Sequence, residues 1–399
     1  MRISTAGMHQ LALEGILQRN ADLAKTQNQI AAGKRILTPS DDPTGAVRAL
    51  DLDRALAESQ QFKRNSDMVT NRLSFEEQTL SDMTNLMQRV RDLTVQGANA
   101  TVDVNGRKAI ATEIKDRLNE LMGLANRKDA NGEYLFSGYS TLTQPFGTNA
   151  SGAVQYAGDQ GVRSVQTSPT QKIADAHSGF EVFMRVATGN GTFSTAANAA
   201  NTGSGVIDSG TVTNPAAWVR GNYALQFTSA TAYQIVNTAT SAVVSSGAYT
   251  SGQTIAFNGV QVSVRGAPAT GDTFSINSST TEDMFTTLQK LVTTLARPNV
   301  TPHDRAQFDT EMGNTLTQLD RALDHTGDVR ADVGSRLSLL DQSAASRDQR
   351  ELDMNTALSD LRDLDYASAI TRLNVQLVGL QAAQSSYSKL GQLSLFNYL

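Results

Sequence analysis

Imidazole, carboxylate and hydroxyl groups carry most protein chemistry, so their types and spacing bound what this chain can do. The four histidines are His9, His177, His303 and His325, and no two stand at the spacing that presents a pair of imidazoles to one metal ion. HExxH, GxSxG, GxxxxGK[ST] and a GxGxxG leading from strand to helix are all missing. With no cysteine in 399 residues, thiol nucleophiles, disulfides, cysteine–zinc sites and iron–sulfur clusters are excluded. The acidic pairs Asp41-Asp42 and Glu76-Glu77, and Asp363 with Asp365, fall where helix capping and solvated helix faces account for them. The histidines read equally plainly, as surface or helix-packing residues. The expectation is a chain with no catalytic, cofactor-binding or metal-binding residue, and hence not an enzyme. A formal charge of −5 lacks the basic footprint of a nucleic-acid binder. No run approaches the 18 apolar residues needed to cross a membrane, so neither nucleic acid nor membrane is an expected partner.

What the sequence does contain is periodicity. Val69, Leu73, Glu76, Leu80, Met83, Met87, Val90, Thr94 and Gly97 follow one another at alternating spacings of 4 and 3, the period of a supercoiled helix. A second helix carries Ile110, Ile114, Leu118, Leu121 and Ala125. A third seam runs Leu316, Leu319, Leu323, Thr326, Arg330, Val333, Leu337, Leu340, Ala344, and continues in register through Arg347, Glu351, Met354, Leu358 and Leu361. The eight prolines leave 44–144 and 303–399 uninterrupted.

The ends resemble each other. Ile16, Leu23 and Ile30 recur every seven residues, with Asn20 and Gln27 between them. Ile370, Leu373, Leu377, Leu380, Gln384 and Tyr387 alternate by 3 and 4, out of phase with the preceding seam, which places a break near Tyr366. Asp42 is positioned to cap the next helix and Pro43 to open it. A helix with about one apolar residue per heptad buries too little to hold itself folded, so each terminus needs a partner. The other terminus and neighbouring subunits supply it.

Between the helical flanks the composition changes. Residues 141–280 hold only ten charged side chains and are rich in Gly, Ser, Thr, Ala and Asn. Alternating apolar residues predict strands at 218–227, 233–236, 255–257, 260–264 and 273–276, with Asn258-Gly259 as a type I′ turn. Residues 186–216 read as poorly structured. Tyr134-Leu135-Phe136 reads as a short strand whose aromatics pin the β region to the helices. The fold class is therefore mainly α with an inserted β domain, a long folded-back helical bundle or coiled coil with paired N- and C-terminal helices. The expected boundaries are 1–42, 43–142, 143–281, 282–365 and 366–399, the first and last being the terminal pair.

Several of these segments resemble the bacterial flagellins and the junction proteins related to them. Ile30-Ala31-Ala32-Gly33-Lys34-Arg35-Ile36 through Ser40-Asp41-Asp42-Pro43 is similar to the N-terminal signature of that family. So are Gln88-Arg89-Val90-Arg91-Asp92-Leu93-Thr94-Val95-Gln96-Gly97-Ala98-Asn99 and Asn131-Gly132-Glu133-Tyr134-Leu135-Phe136-Ser137-Gly138. The first five residues and the ending Leu393-Ser394-Leu395-Phe396-Asn397-Tyr398-Leu399 resemble the junction members more than filament subunits, as does 258–274 within the β region. The resemblance covers roughly 1–142 and 282–399.

It implies a structural assembly protein of the bacterial flagellum, forming a ring of its own copies between the first hook-associated protein and the flagellin filament. The alternative is a minor flagellin that polymerises into the filament itself. It further implies a cytoplasmic export chaperone as partner, type III export without a cleaved signal peptide, and an extracellular location at the hook–filament junction. The implied assembly residues are Ile16, Leu23, Ile30, Ile370, Leu373, Leu377, Leu380 and Tyr387. The implied bundle and hinge residues are Asp41, Asp42, Pro43, Arg89, Arg91, Gln96 and Asn99.

Overall fold

The computed structural model describes residues 5–392, and the side chains of 7–389. The terminal segments 1–4 and 393–399, which carry part of the sequence resemblance, lie outside the described residues. Proline and aspartate punctuate the helices. α1 spans Thr5–Ala32, and α2 opens at proline and runs Pro43–Ala98. α3 (Val104–Ala125) is capped by Asp103, which accepts from the Gly106 amide at 2.7 Å. After the β region, α5 (Met284–Ala296) is capped by Asp283, while α6 (Pro302–Arg362) again opens at proline. α7 spans Tyr366–Gln392 behind Asp365, which accepts from the Ala367 and Ser368 amides.

The chain divides into two compact units, one made of residues 65–341 and one of 1–64 with 342–399. Within the larger unit every position of the α2 seam from Val69 to Gly97 is buried, Glu76 and Thr94 included. Ile110, Ile114, Leu121 and Ala125 of α3 and Leu288, Leu291 and Leu295 of α5 join that core. Gly97 is where α5 seats on α2, because a Cβ there would stand 2.6 Å from the Leu295 Cδ2. Along α6 each residue of the third seam is buried or half-buried, out to Leu361.

Residues 146–282 supply the strands. In order they are β1 (Phe146–Thr148), β2 (Val154–Tyr156), β3 (Ser164–Ser168), β4 (Gln171–Ala174), β5 (Val186–Ala187) and β6 (Phe193–Ala197). They continue as β7 (Val206–Ile207), β8 (Thr211–Val212), β9 (Asn222–Ser229), β10 (Ala232–Asn237) and β11 (Val243–Ala248). β12 (Thr254–Phe257), β13 (Val260–Arg265), β14 (Thr273–Ser278) and β15 (Thr281–Glu282) complete the set, with a short helix α4 (Gly179–Met184) between β4 and β5. Antiparallel pairing gives a five-stranded sheet in the order β11-β10-β9-β14-β6 and a second of β12-β13-β7, with β8 also on β13. Their inner faces bury Phe193, Tyr223, Leu225, Phe227, Ile235, Val260, Val262, Phe274 and Ile276. Asn258 and Gly259 have φ of 44° and 75°, the two left-handed residues of a type I′ turn between β12 and β13.

Three local expectations are corrected. Residues 186–216 are ordered, holding β5 to β8 and a 3-10 turn at Pro215–Ala217. These strands are too short to show alternation, and side chains fix them instead. The Asn190 carboxamide accepts from the Thr192 and Phe193 amides at 3.0 Å, and Asp208 accepts from Ser263 N at 2.9 Å. The strand expected from Trp218 begins only at Asn222, because Trp218 leaves the sheet to pack between Phe193 and Tyr223, 5.7 Å from each ring. Tyr134-Leu135-Phe136 forms no strand, only a bridge between Lys128 and Tyr134. The chain turns at once, since Asp159 gathers the Tyr139, Ser140 and Gly161 amides. Phe136 nevertheless enters the core, in a cluster with Phe146, Phe183 and Phe285 whose rings lie 5.2–5.8 Å apart.

Candidate assembly interface

The smaller unit contains all eight expected assembly residues. His9 meets Tyr387 edge-on at 5.7 Å, Arg19 lies against Gly379, and Tyr366 covers Gly33. The two number series run in opposite directions, so α1 and α7 pair antiparallel. On α1, Ile16, Leu23 and Ile30 are half-buried and share their side with Ala12, Thr26 and Gln29, while Asn20 and Gln27 are exposed. On α7, Leu380 is buried and Leu373 and Tyr387 are half-buried. The residues sheltered between them are the small or slender Ala369, Gln376 and Ala383.

Ile370 and Leu377 do not join this seam. They are 48% and 43% exposed, and Val375 and Val378 are more open still at 66% and 67%. α1 likewise leaves Met8, Leu11, Leu13 and Leu17 exposed. Each terminal helix therefore turns one seam to its partner within the chain and leaves further apolar residues bare outside that seam. Spacing alone could not separate the two, because Leu373, Leu380 and Tyr387 belong both to the series that includes Ile370 and Leu377 and to the sheltered series that includes Ala369, Gln376 and Ala383. The signal that separates them is residue size: alanine and glycine at 369, 379 and 383 let the helices approach, and the bulky residues sit beside them.

The segment leaving α1 is tied to the α6–α7 turn. Gly33 (φ 65°) accepts from the Leu364 amide at 3.1 Å, and the Arg35 amide donates to Arg362 O at 2.7 Å. The Arg35 guanidinium then donates to Leu361 O from Nη2 at 2.8 Å, satisfying a carbonyl that the helix end leaves free. Asp41 pairs with Lys25 at 2.8 Å and accepts from the Leu37 and Thr38 amides at 3.0 and 2.9 Å. The Lys25 hydrogen bond, followed by those two amides, holds its carboxyl well below the usual carboxylate range. Asp42 caps α2 through the Gly45 amide at 2.8 Å, and Pro43 is the first residue of that helix. Arg362 pairs with Asp53 on α2.

The remaining expected residues lie in the larger unit. Arg89 donates from Nε and Nη2 to one oxygen of Glu113 on α3, and Arg91 reaches Asp320 on α6 at 2.6 Å. Gln96 is exposed, its carbonyl accepting from Asn99 N. The Asn99 side chain accepts from the Thr101 amide and hydroxyl, shaping the α2–α3 turn. No group of three metal-ligating side chains occurs among the described residues, and no helix among them is long and apolar enough to cross a membrane.

Comparison with known proteins agrees with this architecture. Residues 3–141 match the model of the bacterial flagellin N-terminal helical region, and 316–399 match the C-terminal helical region. Residues 196–278 match the D2-like domain of flagellar hook-associated protein 1. The crystal structure of Xanthomonas campestris FlgL is 36% identical, with a TM-score of 0.72, over 77% of this chain and 99% of that one. Hook-associated protein 3 from Legionella pneumophila is 32% identical with a TM-score of 0.74, over 78% of this chain and 98% of that one. The chain belongs to the flagellar hook-associated protein 3 family. Among curated relatives, hook-associated protein 3 of Escherichia coli K12 is 33% identical over 183 residues, 46% of this chain and 57% of that protein. The chain thus spans little more than half the length of the curated hook-associated protein 3 it matches. Salmonella rubislaw flagellin is 28% identical over 147 residues, 30% of its length. The hook-associated protein 3 likeness thus exceeds the flagellin likeness in both identity and extent. The match of the β region to a hook-associated protein points the same way.

Proposed function

We propose that this chain is a structural subunit of the hook–filament junction. It forms a ring of its own copies, seated on the first hook-associated protein and carrying the flagellin filament. The observation that carries this reading is the set of uncovered aliphatic residues on α1 and α7 outside the seam that pairs them. Aliphatic side chains exposed along helices this long are stabilised when a neighbouring subunit covers them. Segments 1–42 and 366–399 are assigned to that assembly contact, with Ile370 and Leu377 facing neighbours and Leu373, Leu380 and Tyr387 facing α1. Segments 43–142 and 282–365 form the helical body with its Arg89, Arg91, Gln96 and Asn99 contacts, and 143–281 the inserted β domain. The work is mechanical, not catalytic.

Export follows from the same features. A chain without cysteine and with thinly packed terminal helices suits passage unfolded through a type III apparatus, escorted by a cytoplasmic chaperone. The destination is extracellular. Deleting 366–399 is expected to abolish incorporation at hook ends while the helical body keeps its circular dichroism; normal incorporation would refute the reading. Purified protein added to short filament seeds separates the junction subunit from a minor flagellin. A junction subunit caps and stops, whereas a flagellin elongates the seeds.

A further inference from the structure

His177 is held where a histidine is rarely left without a role. Its side chain is 5% exposed and is approached by charged groups from two helices. Its Nδ1 lies 2.9 Å from Glu76 Oε1 on α2, and its own amide donates to the same oxygen at 3.1 Å. Its Nε2 lies 2.9 Å from Asp332 Oδ2 and 3.0 Å from Arg336 Nη2, both on α6. On its own segment the nearest titratable neighbour, Asp175, is engaged by Arg163 at 2.6 Å and faces Arg72 Nε at 3.7 Å. Arg72 in turn pairs with Asp129 and Glu133.

We propose that His177 is a proton-operated latch that binds the segment entering α4 to both α2 and α6, tight with the ring charged and slack with it neutral. Only an imidazolium can donate to Glu76 and Asp332 at once. A neutral ring keeps its Nδ1 hydrogen for Glu76 and must accept from Arg336 on Nε2, so it gives up Asp332, which retains its 2.5 Å pair with Arg336. Losing the proton therefore exchanges one partner on α6 for another. It also strips the cation from Glu76, a fully buried carboxylate whose Oε2 has no hydrogen-bond partner.

Burial works against the charged ring, and Arg336 adds repulsion. The hydrogen bond and attraction from Glu76, helped by Asp332, outweigh both and lift the group above its ordinary value of 6.5. A raised native value means the stabilisation is fully present below the unfolded value and is lost as pH rises through the native one. The latch thus holds below pH 6.5 and loosens as pH rises through the raised native value. What it holds is specific. Ser178 caps α4, the Gly179 amide donates to Phe136 O at 2.8 Å, and Phe183 sits in the aromatic cluster. Lys172 and Arg185, both exposed, bracket the segment and offer trypsin a report on its opening.

The test uses the full chain, His177→Gln and Glu76→Gln, with imidazole NMR titration, urea midpoints by far-ultraviolet circular dichroism, and trypsin digestion. The resonance missing from His177→Gln should titrate above 6.5 in the parent and move down in Glu76→Gln. The parent midpoint should fall as pH rises through that value, while that of His177→Gln stays level. Cleavage at Lys172 and Arg185, compared at equal pH to cancel the enzyme's own profile, should gain up to about tenfold per pH unit over the variant in that window. Should His177→Gln not fold, the titrations of the parent and Glu76→Gln still decide. Titration at or below 6.5, no response to Glu76→Gln, or an equal pH slope in His177→Gln would overturn the proposal.

Discussion

The two compact units are both built on long helices, yet they are stabilised in opposite ways. Residues 65–341 bury an uninterrupted stripe from Val69 to Gly97, add a cluster of four phenylalanines, and enclose a second core between two small sheets. Among the described residues, segments 1–64 and 342–399 bury only Thr26, Gln29, Gly45, Ala49, Arg347, Leu364, Ala369 and Leu380, and leave leucine, isoleucine and valine residues bare. Most helical stability in a protein comes from packing an apolar face, so the first unit is held by its own core, while the second leaves apolar surface that the proposed neighbouring copies would cover. The difference is what an assembling subunit requires: a body that folds by itself, and ends whose folding is coupled to docking.

That contrast can be broken at several points. The largest effect is expected from Ile370→Asp combined with Leu377→Asp. Each removes an aliphatic group whose burial is worth about 1.5–3 kcal/mol, so polymerisation should weaken by two orders of magnitude or more. The urea transition of the monomer should not move, and sedimentation with parallel denaturation checks both. Phe285→Ala should do the reverse, costing the body about 3–5 kcal/mol through the cavity it leaves beside Phe146 and Phe183. If assembly suffers more than stability in that variant, the division of labour is wrong.

The sequence carried the body well and the ends only in part. Every α2 position from Val69 to Gly97 that heptad spacing picks out is buried, and the whole α6 seam is sheltered, because one supercoiled face meets the core there. The same spacing failed to sort α7, where sheltered and bare apolar residues interleave and the sheltered side is marked by Ala369, Gly379 and Ala383 instead of by large residues alone. It also missed 186–216, since strands of two to five residues held by Asn190, Asn198 and Asp208 leave no periodic trace. The His177 cluster was invisible because its members are spread from 76 to 336 and meet only through the fold.

Smaller perturbations sharpen the picture. Asp42→Ala removes the α2 cap and should cost about 1 kcal/mol, read as faster hydrogen exchange near 43–47 with the core of 65–341 unchanged. Arg91→Ala breaks a pair whose two side chains are 42% and 43% exposed, and should shift the urea transition by about 0.5 kcal/mol or less. A large loss there would mean that the ion pairs of the body contribute more than its apolar seam.

The most direct test is hydrogen exchange on the full chain, as dilute monomer and after assembly. Amides of 7–32 and 366–389 are expected to exchange rapidly in the monomer and become protected on assembly, while those of 69–97 stay protected throughout. Strong protection of the terminal helices in dilute monomer would contradict it.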